Sequence, residues 1–200
     1  MSLVMGVGNK EFILFAGEQR CTNQDGDILS ENYKKVYKIN DNVIIGFCGD
    51  STYCKIITKH LFDDTFSKDD ILNLTYKEVF NLIKSQFKSV VEQVEADTKY
   101  RKANAYIIVG GKFNRELKFS TFFYQDTLEI NELNLDSMDP TLVVMESGKC
   151  DHKLNIKQEF LKDPKISIKN FTLIFARVIA DGVKSDNSIN DNIRFVSIEK

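Results

Sequence analysis

Two apolar runs a few residues apart open the chain: Leu3-Val4-Met5-Gly6-Val7, then Phe12-Ile13-Leu14-Phe15-Ala16-Gly17, which closes on Glu18. Runs of this length read as two adjacent strands. Chain ends normally fray unless something ties them down, so a strand starting this early is a constraint on the whole fold.

Two further strand signals, Lys35–Ile39 and Val43–Phe47, flank the turn residues Asn40-Asp41-Asn42, after a polar loop over 22–32. Gly49-Asp50-Ser51 closes that hairpin and starts a helix through Phe62, with Asp50 or Ser51 as N-cap. From Tyr76 to Tyr100, Val79, Phe80, Ile83, Phe87, Val90, Val91 and Val94 share one helical face. A second strand block follows: Ala105–Val109 ending at Gly110-Gly111, then Leu117–Tyr124, Thr127–Leu133 and Thr141–Met145. Helices about 155–162 and 170–184 and a strand over 193–198 complete the order. Hairpin-linked strand blocks alternating with helices predict an α+β fold, two stacked antiparallel sheets with helices on both outer faces, a four-layer αββα sandwich. With no Pro- or Ser-rich linker, residues 1–200 read as one domain.

Charge and composition narrow the function classes. Lysines and arginines (27) nearly balance aspartates and glutamates (29), so no nucleic-acid or membrane footprint is expected. No apolar stretch approaches the roughly 20 residues that span a bilayer, and no signal peptide is read before the first strand. The four cysteines form no C-x-x-C pair and no histidine stands in metal register, so neither metal nor cofactor is expected. Cys48 and Cys54 read as small buried thiols, and a reducing cytoplasm fits.

One use for a chain start buried in a sheet is chemical, with the terminal amine and the first side chain acting as a pair. Ser2 becomes that first residue once Met1 is trimmed. Counting from it, Glu18, Lys35, the corner Gly46-Phe47-Cys48-Gly49, Ser147-Gly148 and the segment Ala180-Asp181 through Ser185 fall in an order that resembles the proteasome β-subunit family of N-terminal nucleophile hydrolases, including HslV-type peptidase subunits. The resemblance spans nearly the whole chain and is strongest over 2–62 and 176–198. It implies Ser2 as nucleophile where the family carries Thr, Glu18 at the family's Asp position, Lys35 as the cation beside it after one inserted residue, and Gly49 as oxyanion donor. Ser147, Asp181 and Ser185 would orient the terminal amine, while Cys21, Thr22, Gly46 and Phe47 would line the substrate site.

The implied chemistry is acyl transfer. An α-amine of ordinary pKa near 7.7–8.0 can take the serine proton, and a neighbouring lysine lowers that pKa further. An amide at a helix N-terminus stabilises the oxyanion. The resemblance also implies a peptide or protein substrate and assembly of copies into rings; the sequence carries no sign of an ATPase partner. Leu3 and the stretch Ser185-Asp186-Asn187 depart from the family pattern, and Lys35 and Gly49 also read as a solvated lysine and a turn glycine. The alternative expectation is a catalytically inactive member with an assembly or peptide-binding role.

Overall fold

The computed structural model describes residues 3–23, 25–62, 68–96, 104–125, 127–146 and 151–200. In chain order the elements are β1 (Leu3–Gly8), β2 (Phe12–Glu18), β3 (Cys21–Thr22), β4 (Ile28–Ser30), β5 (Val36–Asn40) and β6 (Val43–Gly49). Three helices follow, α1 (Ser51–Phe62), α2 (Lys68–Asn73) and α3 (Tyr76–Ala96). Then come β7 (Ala105–Phe113), β8 (Glu116–Tyr124), β9 (Leu128–Leu133), β10 (Thr141–Glu146), α4 (His152–Lys162), α5 (Ile168–Ser185) and β11 (Ile193–Glu199).

The strands pair antiparallel into a four-stranded sheet, β10-β1-β2-β11, a five-stranded sheet, β5-β6-β7-β8-β9, and the small ribbon β3-β4. Period-two alternation explains how both main sheets are buried on both faces. In β2, Ile13 and Phe15 enter the layer between the sheets, while Phe12, Leu14 and Ala16 face α4 and α5. In β6, Ile44 and Cys48 enter that same middle layer, whereas Val43, Ile45 and Phe47 pack under α1 and α3. Strands covered on both sides need apolar residues at every position, which is why β1 and β2 read as unbroken runs. The expected αββα sandwich is the architecture found.

Local differences from the expectations have physical causes. Gly110-Gly111 does not end β7; both sit inside the strand, where a side chain on Gly110 would press against Ile13 and Phe15. The hairpin turns instead at Asn114 and Arg115, both in the left-handed region (φ 52° and 64°), between the paired residues Phe113 and Glu116. The loop expected over 22–32 folds partly into the β3-β4 ribbon. Helix α4 starts at His152 because Asp151 caps it, accepting the Leu154 amide at 2.9 Å, and Ser167 caps α5 by accepting Asn170 N at 3.2 Å. Among the described residues no helix is long and apolar enough to cross a membrane.

Candidate functional site

β2 ends on Glu18 and β5 is entered through Lys35, two charged residues in almost dry surroundings (0% and 2% exposed). Lys35 Nζ donates to Glu18 Oε1 and, at 2.6 Å, to the Arg20 carbonyl. Glu18 Oε1 also accepts the Leu3 amide at 3.2 Å, and Oε2 accepts the Arg20 amide at 2.7 Å. Desolvating two ions costs several kcal/mol each, so such a pair persists only where further hydrogen bonds help to satisfy both groups, as the Leu3 and Arg20 amides and the Arg20 carbonyl do here. The peptide nitrogen that joins residue 2 to Leu3 is thereby held on the carboxylate that holds the ammonium.

The second wall is the β6–α1 corner. Gly49 has φ +101°, a left-handed conformation that L side chains resist, and a Cβ there would collide with the Asn104 carbonyl. Asp50 then turns the chain: its amide donates to Asn104 O at 2.7 Å and its Oδ1 caps α1 by accepting Thr52 N at 2.8 Å. Between this corner, Lys35 and the β3-β4 ribbon lies a cleft of about 310 Å³. Of the expected lining residues, Cys21, Thr22 and Phe47 face it. Gly46 does not line it; it sits between the sheets, where a Cβ would touch Val4 and Ile108 at 3.0 Å.

A polar network supports the pair from behind. Arg20 makes a bidentate bond to Glu31, 3.0 Å on each arm, and donates to the Asn187 carbonyl. Asn190 accepts the Gln19 amide at 3.0 Å and donates to Glu31 at 2.7 Å. The Arg20 and Asn190 hydrogen bonds hold the Glu31 carboxyl below its usual range. The residues flanking Glu18 are thus fastened to the segment that follows α5.

The remaining expected site residues fare differently. Ser2 and Ser147 lie outside the described residues. Asp181 is exposed and binds Lys184 at 2.7 Å, and Ser185 is exposed with its hydroxyl on the Gly182 carbonyl at 3.1 Å. The buried carboxylate of this region is Asp186, which caps the end of α5. Its Oδ1 accepts the Ser188 amide and hydroxyl at 2.8 and 2.6 Å, and its Oδ2 is buried with no hydrogen bond from a described residue. The sequence held a signal for it: Phe171, Phe175, Val178 and Gly182 mark the buried face of α5, and Asp186 is one turn further along that face, whereas Asp181 is off it.

Beside Asp186 lies His152, 1% exposed, with neither ring nitrogen hydrogen-bonded to a described residue. Its Nε2 is 3.8 Å from Glu146 Oε2, and its amide donates to that oxygen at 3.3 Å. Burial pulls the imidazole below its ordinary pKa, against the pull of Asp186 and Asp151, and burial pushes the Glu146 carboxyl up. Cys48 points its thiol at the Met145 carbonyl, and burial pushes that thiol up to about 12, which keeps it protonated and unreactive. No group of three or more His, Cys, Asp or Glu among the described residues is placed to hold a metal.

Residues 2–109 match the family model described as Proteasome subunit. Among solved structures, the eukaryotic HslV from Trypanosoma brucei superposes with a TM-score of 0.62 at 15% identity, covering 99% of this chain and 99% of that one. No curated protein sequence matches the chain.

Proposed function

The chain belongs to the proteasome subunit family, and from that premise we propose that it is an N-terminal nucleophile hydrolase cleaving peptide or other amide bonds with Ser2. The observation that carries the reading is the linked set Leu3 amide, Glu18, Lys35 and Arg20 carbonyl, which puts a buried ammonium beside the first residues of the chain. After removal of Met1, the free amine of Ser2 takes the Oγ proton as Oγ attacks the substrate carbonyl. Lys35 keeps the amine unprotonated by like-charge repulsion, and Glu18 fixes the Lys35 ammonium in place. The Gly49 amide at the head of α1 receives the oxyanion, a contribution of about 3 kcal/mol to the barrier. The amine proton passes to the leaving nitrogen, and water then cleaves the acyl-serine by the reverse sequence. Ser147 and, from its burial, Asp186 are the groups we assign to orienting the amine, in preference to Asp181; Ser185 stays a candidate beside them. Residues 1–200 form one unit of this type, and copies assemble into rings.

The test is the intact mass of the untagged chain with and without an electrophilic peptide probe. Loss of Met1 and a single adduct on Ser2 supports the reading. Retained Met1, or a trimmed chain that takes no adduct, points to the inactive alternative, a family member kept for assembly or peptide binding.

A further inference from the structure

Among the described residues, the lining of the 310 Å³ cleft holds one cation, Lys35, and one carboxylate, Asp50. Lys35 is already committed to Glu18. Among the described residues no cation is paired with Asp50: Oδ1 caps α1, accepting Thr52 N at 2.8 Å and Tyr53 N at 3.3 Å, and Oδ2 takes no hydrogen bond from a described residue. A second cation, Lys55, sits 5.3 Å over the Tyr33 ring and lines the neighbouring cleft, not this one. The start of α1 opposes the carboxylate with about half a positive charge, which leaves the lining net negative.

The other polar groups around the cleft are the hydroxyls of Thr22, Ser51 and Thr52, the Tyr33 phenol and the Asn23 amide. The hydroxyls and the phenol can each accept a hydrogen bond from a guanidinium or ammonium, whereas Asn23 Oδ1 already accepts the Asp25 and Asp27 amides. At the rim, Asp27 Oδ2 holds Asn23 Nδ2 at 2.9 Å, adding a further carboxylate beside the entrance. An aliphatic side chain seated here would strip water from Asp50 without replacing it, and an acidic one would add repulsion. Given the hydrolase reading, in which Cys21, Thr22 and Phe47 line the substrate site, we infer that the cleft selects substrates that present an arginine or lysine side chain to it, through Asp50.

Equilibrium binding of unreactive, fluorescent acetyl-peptide amides that differ only in a terminal arginine, leucine or glutamate tests this by anisotropy at low salt. The arginine peptide should bind at least tenfold tighter than the glutamate one, and the preference should shrink as salt is added. In Asp50→Asn, which keeps a capping oxygen for α1, the arginine-to-leucine ratio should fall severalfold. Equal binding of the three, a glutamate preference, or a ratio unmoved by Asp50→Asn overturns the inference. The hydrolase reading is judged apart, by the same peptides carrying an electrophile. An arginine preference in binding with no adduct on Ser2 upholds the cleft's selectivity and discards the hydrolase.

Discussion

Breaking the Glu18–Lys35 pair from one side strands a charge in a nearly dry interior, and that penalty can be separated from chemistry. Lys35→Met leaves the buried Glu18 carboxyl with only two backbone amides, and should cost roughly 3–5 kcal/mol in urea denaturation. Adding Glu18→Gln should restore most of the loss while turnover stays absent in both variants. A single variant as stable as the parent would mean that water reaches the pair. His152 offers a second handle. Its folded pKa lies below 6.5, so below pH 6.5 the unfolded chain binds a proton that the folded chain refuses, and stability falls as the pH drops through that window. Glu146 acts with the opposite sign: its carboxyl is raised above 4.5, a stabilisation present at low pH and lost as pH rises through its folded value. His152→Phe removes only the first effect. Between pH 7 and 5 the parent should therefore lose stability relative to the variant, and parallel curves would show that the imidazole is solvated. Both charged residues of the pair were legible in the sequence because each interrupts or abuts an apolar strand at a family spacing. Asp186 was not, because the Ala-Asp spelling at 180–181 drew attention away from the helical period that identifies it.

At the scale of elements, the β7–β8 hairpin shows where sequence punctuation misleads. Gly110-Gly111 looks like a turn, yet the glycines are there because Ile13, Phe15 and Tyr76 pack too close for side chains. The real turn carries Asn114, which tolerates the left-handed region, and Arg115, which does not and pays about 1–2 kcal/mol for it. Arg115→Gly should accordingly raise stability by about 1 kcal/mol, read as a higher urea midpoint at unchanged slope. A lowered midpoint would show that the Arg115 side chain stabilises the turn by more than its backbone strain costs. The strand pairs and the four longer helices, α1, α3, α4 and α5, were legible because their apolar periods run for many residues. The β3-β4 ribbon and α2 were not, since two or three paired residues, or one and a half helical turns, leave no period to read.

At the scale of the molecule, the outer helices carry leucines that the fold itself does not bury: Leu154 and Leu161 on α4 and Leu173 on α5 are all exposed, Leu161 by 76%. Scattered single leucines are ordinary on a surface, but a ring-forming subunit has a use for them. Sedimentation velocity at micromolar concentration should show a species several times the 23.0 kDa of the chain, and Leu161→Asp should shift it toward smaller ones. A monomer at every concentration would rule the rings out.

The four-stranded sheet also has a consequence in time. Its central hairpin comes from the first eighteen residues, one flank from Thr141–Glu146 and the other from Ile193–Glu199. On a ribosome, β1 and β2 emerge early and their long apolar edges must wait for partners made more than a hundred residues later. Such long-range pairing is slow and leaves sticky intermediates, so the sheet closes only once Ile193–Glu199 has been made, and a chain ended before Ile193 would keep one side of β2 permanently open.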